Sequence, residues 1–182
     1  MSQNEKIYSK IDEAKEIIVG LCEKYPDVFW RINPDRVGVY GVENKERSKK
    51  CKKLCMLKAV KGVEKAVFEE ANIPTRHIID IYWADWNQWS YAFKQCVIAR
   101  ELLKISEDAG KVINFDCQDF KILVDVLGYD WDSNPDKILP NLIDDDVEFN
   151  LELRPGLEDE EVSFDDPSEE EKKDFASDTT KN

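Results

Sequence analysis

Residues Cys96 to Ile105 read Cys-Val-Ile-Ala-Arg-Glu-Leu-Leu-Lys-Ile, and this stretch governs the interpretation of the whole chain. Its apolar residues recur at three- and four-residue spacings, which predicts an amphipathic helix. We expect the helix to open at Asp85, with Gln88 as its capping-box partner, and to stop near Gly110. The helix would carry Trp89, Ala92, Phe93, Cys96, Val97, Ala99 and Leu103.

Arg100, Glu101 and Lys104 stand at the spacing of a zinc-binding helix motif. With histidine at positions 100 and 104 the stretch would read H-E-L-L-H, in which two imidazoles one turn apart hold Zn²⁺ and the glutamate activates water. Two cationic side chains cannot ligate a cation, so the stretch predicts that such chemistry has been lost. Two interpretations of Arg100 stay open: a solvated helix face, or a partly buried guanidinium paired with Glu101 or Asp116.

Hydrophobic periodicity and turn residues predict the other elements of an α+β domain. We expect an amphipathic helix over residues 7–25 and short strands over residues 36–40 and 76–83. A further helix is expected over residues 117–127, with Gly128 as its C-terminal cap.

Two apolar patterns admit more than one interpretation. The first could be a helix seam or a sheet edge, and it consists of Leu54, Leu57, Val60 and Val63. The second alternates with polar residues, as an additional strand would, and it consists of Val147, Phe149, Leu151 and Leu153.

The order of these elements resembles a metallopeptidase family found mainly in phages and prophages. In that family a strand ends in a Trp-Asp turn before the H-E-L-x-H helix, and an H-D pair supplies the third ligand before a later helix and a Gly-x-x-Trp turn. The residues here that match this later pattern are Asp116, Phe120, Gly128 and Trp131. Phe115 stands where the third histidine is expected, and the resemblance covers roughly residues 7–131.

The resemblance implies a fold of the α+β class: a small zincin-like domain with a short sheet and about three to four helices, spanning residues 1–143. All three expected zinc ligands are absent, at Arg100, Lys104 and Phe115, and Glu101 is what remains of the catalytic set. It therefore implies a degenerate, metallopeptidase-like pseudoenzyme of the phage type. We expect no catalytic residue, no metal and no cofactor.

Charge is segregated along the 182 residues, whose net charge is −13. The segment 144–182 holds sixteen acidic and four basic residues, which leaves residues 1–143 close to neutral. This segment is either a solubilising, partly disordered tail or a mimic of DNA that attracts a phosphate-binding protein. Its candidate binding residues are Asp144, Asp145, Asp146, Glu148, Glu158, Asp159, Glu160, Glu161, Asp165 and Asp166.

A basic stretch over residues 45–65 contains nine Lys or Arg residues and two Glu residues. It could bind nucleic acid or the chain's own acidic segment, and its candidate binding residues are Lys49, Lys50, Lys52 and Lys53. The stretch lacks interleaved aromatic residues, and no helix-turn-helix or zinc-finger pattern accompanies it.

A dense aromatic cluster follows the predicted strand 76–83, and it consists of Tyr82, Trp83, Trp86, Trp89, Tyr91 and Phe93. The favoured interpretation is a core around the strand-to-helix turn, since aromatic side chains bury large areas. The alternative is a hot-spot surface for a partner, in which Trp86 would be the exposed binding residue.

Cysteine and histidine content limits the possible metal sites. The five cysteines are expected to be reduced thiols, several of them buried, and they are Cys22, Cys51, Cys55, Cys96 and Cys117. With His77 as the single histidine, two ordinary thiols at Cys51 and Cys55 are favoured over a zinc site. A rearranged peptidase site would have to draw its ligands from Glu101, Asp116, Asp119, His77 and Cys117.

These observations together predict a soluble, non-catalytic binding protein in the cytoplasm of a bacterial host. Residues 1–10 are polar, and no apolar run approaches the roughly 18–20 residues of a membrane helix. The expected role is inhibition of a host nucleic-acid-targeting defence, of the anti-CRISPR or anti-restriction type, by a DNA-mimic-like surface. The expected partner is a host nuclease or its guide complex, and the alternatives are a zinc-dependent peptidase with a rearranged site and a nucleic-acid-binding protein acting through residues 45–65.

Overall fold

The computed structural model describes residues 5–48, 53–106, 112–113, 119–134 and 136–155, which form an α+β domain. Its strands are β1 (Tyr8–Lys10), β2 (Val37–Val42), β3 (Cys55–Ala59) and β4 (His77–Tyr82). Its α-helices are α1 (Asp12–Lys24), α2 (Gly62–Glu70), α3 (Trp83–Trp86), α4 (Tyr91–Leu103) and α5 (Lys121–Leu127). Short 3₁₀ turns lie at Pro34–Arg36 and Leu151–Leu153.

The four strands form one mixed sheet in the order β1-β2-β4-β3. The two central strands, β2 and β4, are parallel, and Val37 pairs with His77. Both edge strands are antiparallel to their neighbours. In β4 the buried residues are His77, Ile79 and Ile81, so the residues between them point to the opposite face of the sheet.

Helix α4 lies in the middle of the core. It packs against α1 and β3, and every residue from Gln95 to Leu103 is buried. A helix that is buried on all sides is normally apolar all round. Arg100 and Glu101 break that rule, and they therefore mark the region where the core contains charge.

The predicted strands are confirmed. The expected strands 36–40 and 76–83 correspond to β2 and β4, and Gly128 caps α5 with a positive φ of 77°, a conformation that favours glycine. Residues 53–60 supply edge strand β3, and Val63 lies in α2 with 80 % of its surface exposed.

Several predicted boundaries are wrong. Residues 8–10 are strand β1 instead of the start of a helix, because their backbone pairs with β2. The helix expected from Asp85 is divided into α3 and α4, and Ser90 caps α4 by accepting a hydrogen bond of 3.2 Å from the Phe93 amide. Helix α4 ends at Leu103 rather than near residue 110, and the described residues contain five α-helices rather than three to four.

The segment after residue 143 packs against the helices. The alternation at residues 147–153 does not produce a strand within the described segment 136–155, because Val147, Phe149 and Leu153 turn inward onto the core. The Phe149 ring meets the Tyr25 ring edge-on, with centroids 4.8 Å apart. Core packing thus continues beyond the predicted boundary at 143/144.

Within the described residues, no helix has both the length and the apolar character needed to cross a membrane.

Candidate functional site

Arg100 is held inside the core by acidic and aromatic partners. It is 7 % exposed, and its Nη1 donates a hydrogen bond of 2.8 Å to Oδ2 of Asp132. The same nitrogen lies 3.6 Å from Oδ2 of Asp119, and the guanidinium carbon lies 4.9 Å from the ring centre of Trp131. The interpretation of Arg100 as a buried, paired guanidinium is therefore confirmed, while Asp116 lies outside the described residues.

Asp119 links Arg100 to the loop before α5. Its Oδ1 accepts a hydrogen bond of 2.8 Å from the Phe120 amide, and its Oδ2 accepts one of 2.9 Å from Nε1 of Trp131. Burial raises the pKa of this carboxyl, and the Arg100 charge and the two hydrogen bonds oppose that rise. Asp119 thus keeps a partner for each oxygen.

Glu101 is 1 % exposed and both of its carboxylate oxygens have partners. Oε2 accepts a hydrogen bond of 3.0 Å from the Leu57 amide of β3, and Oε1 pairs with Nζ of Lys104. Burial, followed by the Glu101 charge, raises the pKa of the neighbouring Cys55 thiol well above its ordinary value. The carboxylate that would activate water in a zinc-peptidase helix therefore accepts hydrogen bonds from the protein itself.

These side chains form one unit, which we call the buried ionic cluster: Arg100, Glu101, Lys104 and Asp119, with Asp132 at its solvent-exposed edge. Its two cations and three carboxylates join α4 to β3 and to the segment 119–132. Buried charges are tolerated when they are paired and hydrogen-bonded. Its chemical role is consequently to neutralise charge inside the core.

The three described residues of the alternative metal site, Glu101, Asp119 and His77, do not gather into one set of ligands, and Asp116 lies outside the described residues. Glu101 and Asp119 both lie beside Arg100, a cation, whereas Cys117 lies outside the described residues. His77 is buried in β4, and burial lowers its pKa. Across the described part of the chain, no group of three or more His, Cys, Asp or Glu residues is arranged to hold a metal ion.

The acidic segment begins with a well-anchored stretch. The Asn141 amide donates 2.8 Å to Oδ2 of Asp145, and Nε2 of Gln95 in α4 donates 2.6 Å to Oδ1 of Asn141. Further along, Nη1 of Arg154 donates 2.6 Å to the Asp27 carbonyl. The exposed carboxylates between these anchors form what we call the acidic ridge: Asp144, Asp145, Asp146, Glu148 and Glu152.

The ridge also affects the electrostatics of α1. Burial raises the pKa of Tyr25 to about 12, and the charges of Asp146 and Asp145 add to that rise. The Tyr25 hydroxyl donates 2.5 Å to the Leu142 carbonyl. The other predicted acidic binding residues lie outside the described residues: Glu158, Asp159, Glu160, Glu161, Asp165 and Asp166.

The described part of the basic stretch pairs with carboxylates of the domain. Nε of Arg47 donates 2.7 Å to Asp85, and Nζ of Lys58 pairs with Asp80. Of the predicted binding residues, Lys53 is exposed, while Lys49, Lys50 and Lys52 fall outside the described ranges.

The prediction that Trp86 is exposed is wrong, because its side chain is 1 % exposed. Its indole Nε1 donates 2.9 Å to Glu13 of α1, and its ring packs edge-on against Trp89. Nζ of Lys94 lies 4.8 Å from the same ring. Trp86 therefore belongs to the core, as the favoured interpretation of the aromatic cluster holds, and it is removed from the candidate binding residues.

Sequence reasoning missed two members of the site. Asp132 lies 32 residues from Arg100, and nothing in the sequence indicated that they meet, although Asp132 directly follows Trp131 of the Gly-x-x-Trp turn. The Leu57 amide is a backbone group, so no residue type could reveal that it donates to Glu101.

Compared with known proteins, the chain matches no protein-family model, no curated protein and no solved structure. The resemblance to a phage metallopeptidase family stays a prediction from the residues.

Proposed function

We propose that this chain is a non-catalytic binding protein of the phage type, which inhibits a host nucleic-acid-targeting defence in the manner of an anti-CRISPR or anti-restriction protein. The observation that carries the non-catalytic part of the proposal is the buried ionic cluster. It supports a pseudoenzyme because it fills, with paired side chains, the helix positions at which a zinc peptidase would bind its metal.

The contacts of Glu101 supply the chemical argument. A general base must be free to take a proton from water at the moment of reaction. Glu101 instead accepts from Leu57 and pairs with Lys104 at 1 % exposure. Freeing it would break its hydrogen bond from the Leu57 amide and its ion pair with Lys104 inside the core, which opposes a peptidase mechanism at this helix.

The acidic ridge is the proposed binding surface. The backbone here is fixed by Val147 and Phe149, whose side chains pack against the core. The neighbouring carboxylates of Asp146 and Glu148 remain exposed. Fixed carboxylates attract a phosphate-binding cleft at long range and raise the association rate. The partner is then a nuclease, or its guide complex, whose nucleic-acid channel is positively charged.

Targeted-plasmid transformation tests this function. The chain would be expressed in a panel of bacterial strains, each with one CRISPR or restriction system, and the transformation efficiency of a targeted plasmid would be measured. We expect the wild-type chain to raise the efficiency in at least one strain. The ridge variant, with Asp146→Asn, Glu148→Gln and Glu152→Gln, should lose that effect.

A matched control removes the same charge elsewhere on the surface. It carries Glu64→Gln and Glu70→Gln in α2 and Asp125→Asn in α5, all at exposed positions, and it should behave as the wild type. Equal loss in both variants would contradict recognition through the ridge. Stoichiometric zinc in the purified chain, together with peptide cleavage, would contradict the non-catalytic assignment.

A further inference from the structure

The face of the sheet that points away from α1 and α4 presents tyrosine and lysine side chains. Paired residues in neighbouring strands point to the same face. Tyr8 pairs with Val42, which pairs with Tyr82, and Lys10 pairs with Tyr40. We call this surface the open face, and its main members are Lys6, Tyr8, Lys10, Tyr40, Lys58 and Tyr82.

The three tyrosines lie on three different strands. Tyr8 is 44 % exposed, and Tyr40 and Tyr82 are half-buried. A Cβ placed on Gly38 would lie 2.9 Å from Cε2 of Tyr40, so this ring rests over the backbone of the glycine. The absence of a side chain at Gly38 thus lets the Tyr40 ring approach the sheet closely.

Lysines surround these rings. Nζ of Lys6 lies 5.7 Å from the ring centre of Tyr82, and Lys10 is exposed beside Tyr40. Lys58 pairs with Asp80 on the same face. A cavity of about 110 Å³ opens between Lys6 and Tyr82. The open face thus combines aromatic rings, cations and a shallow recess.

We propose that the open face binds single-stranded nucleic acid. Proteins that bind single strands stack bases on aromatic side chains and track the phosphates with cations. The stacking surfaces would be the rings of Tyr8, Tyr40 and Tyr82. The cations on the same face of the sheet are Lys6 and Lys10. A protein partner fits this face less well, because the cores of protein interfaces are depleted of lysine.

The fold keeps this surface apart from the acidic ridge. The ridge is anchored to α1 and α4 through Tyr25 and Gln95, whereas the open face lies on the other side of the sheet. The two surfaces can therefore act separately. This inference does not depend on the proposed inhibitory function.

Fluorescence anisotropy with labelled oligothymidine, oligouridine and a duplex of the same length tests the proposal on the full chain. We expect a single strand to bind more tightly than the duplex. The comparison of oligothymidine with oligouridine then shows whether the chain prefers DNA or RNA. Tyr8→Ala should weaken binding by about 5-fold or more, which is the lower end for loss of one base-stacking ring. The control Tyr91→Ala removes a tyrosine of similar exposure, 42 %, from the helix side and should change nothing.

Salt dependence gives a second readout. Lys10→Gln should reduce the slope of log affinity against log salt by about 0.7, the amount for one phosphate contact on a single strand. Lys15→Gln in α1 should leave the slope unchanged. A wild-type chain that binds neither single strand overturns the proposal. So does a Tyr8→Ala variant that binds oligonucleotides as tightly as the wild type. If that variant also fails in the plasmid assay, the open face is a protein interface.

Discussion

The Arg100 guanidinium lies in the core, where a charge is far less favourably placed than in water. Placing a guanidinium in the core carries a desolvation penalty of several kcal/mol. Asp132, Asp119 and the Trp131 ring offset that penalty through contacts at 2.8, 3.6 and 4.9 Å. The charge can stay because all of these partners are fixed by the surrounding fold.

Substitution of Arg100 by methionine tests the cluster. Arg100→Met removes the guanidinium that lies 3.6 Å from the buried Asp119 carboxylate, and removal of one partner from a buried ion pair costs about 3–5 kcal/mol. We expect a loss of that size in the free energy of unfolding, measured by urea denaturation.

Arg76→Met is the matched control, because Arg76 pairs with Glu69 at the surface, where both side chains are at least one-third exposed. Exposed pairs contribute about 0–1 kcal/mol. Equal losses in the two variants would show that the cluster contributes no more than a surface ion pair.

At the scale of elements, β-branched and aromatic residues identified β2 and β4, because such side chains fit a pleated, half-buried surface. The start of α4 was missed for a reason outside local sequence. Asp85 and Gln88 have capping-box spacing, but Trp86 is drawn into the core by its hydrogen bond to Glu13 in α1, 73 residues away. Helix α3 ends at Trp86, and Ser90 caps the separate helix α4.

Strand β4 contains the next prediction, through His77. Burial lowers the pKa of His77 below its ordinary value of 6.5, so the folded state binds its proton less readily than the unfolded state. The free energy of unfolding should therefore decrease as the pH falls below 6.5 toward the folded pKa. Because the chain has one histidine, its ring-proton NMR titration reports this pKa directly.

His77→Leu should remove this decrease in the free energy of unfolding below pH 6.5, because the substituted chain has no histidine to protonate. An NMR titration midpoint at or above 6.5 in the wild type would contradict the argument.

At the scale of the whole molecule, charge segregation was readable from the sequence, but the attachment of the acidic segment was not. The count of acidic residues after position 143 indicated a separate tail, whereas Phe149 packs on Tyr25 and Arg154 binds the Asp27 carbonyl, 127 residues away. Likewise, the pairing of Arg100 could be anticipated from its helix position, but the partner Asp132 required the tertiary fold.

Phe149→Ala tests whether the segment stabilises the domain. Full burial of a phenylalanine is worth about 3–5 kcal/mol, and Phe149 is half-buried, so we expect a loss of about 1–3 kcal/mol in thermal or urea unfolding. Ile138→Ala, at a side chain that is 95 % exposed, should stay within about 0.5 kcal/mol of the wild type. Matching effects in the two variants would mean that the ridge backbone is not held by this contact.

The hydrogen bond between the Leu57 amide and Glu101 has a consequence for self-association. β3 is an edge strand, and the edge of a sheet is where another chain can add a strand and begin aggregation. An incoming strand would have to displace Glu101 from the Leu57 amide and leave a carboxylate that is 1 % exposed without that donor. The residue that resembles a catalytic glutamate thus opposes the addition of a strand at the β3 edge of the sheet.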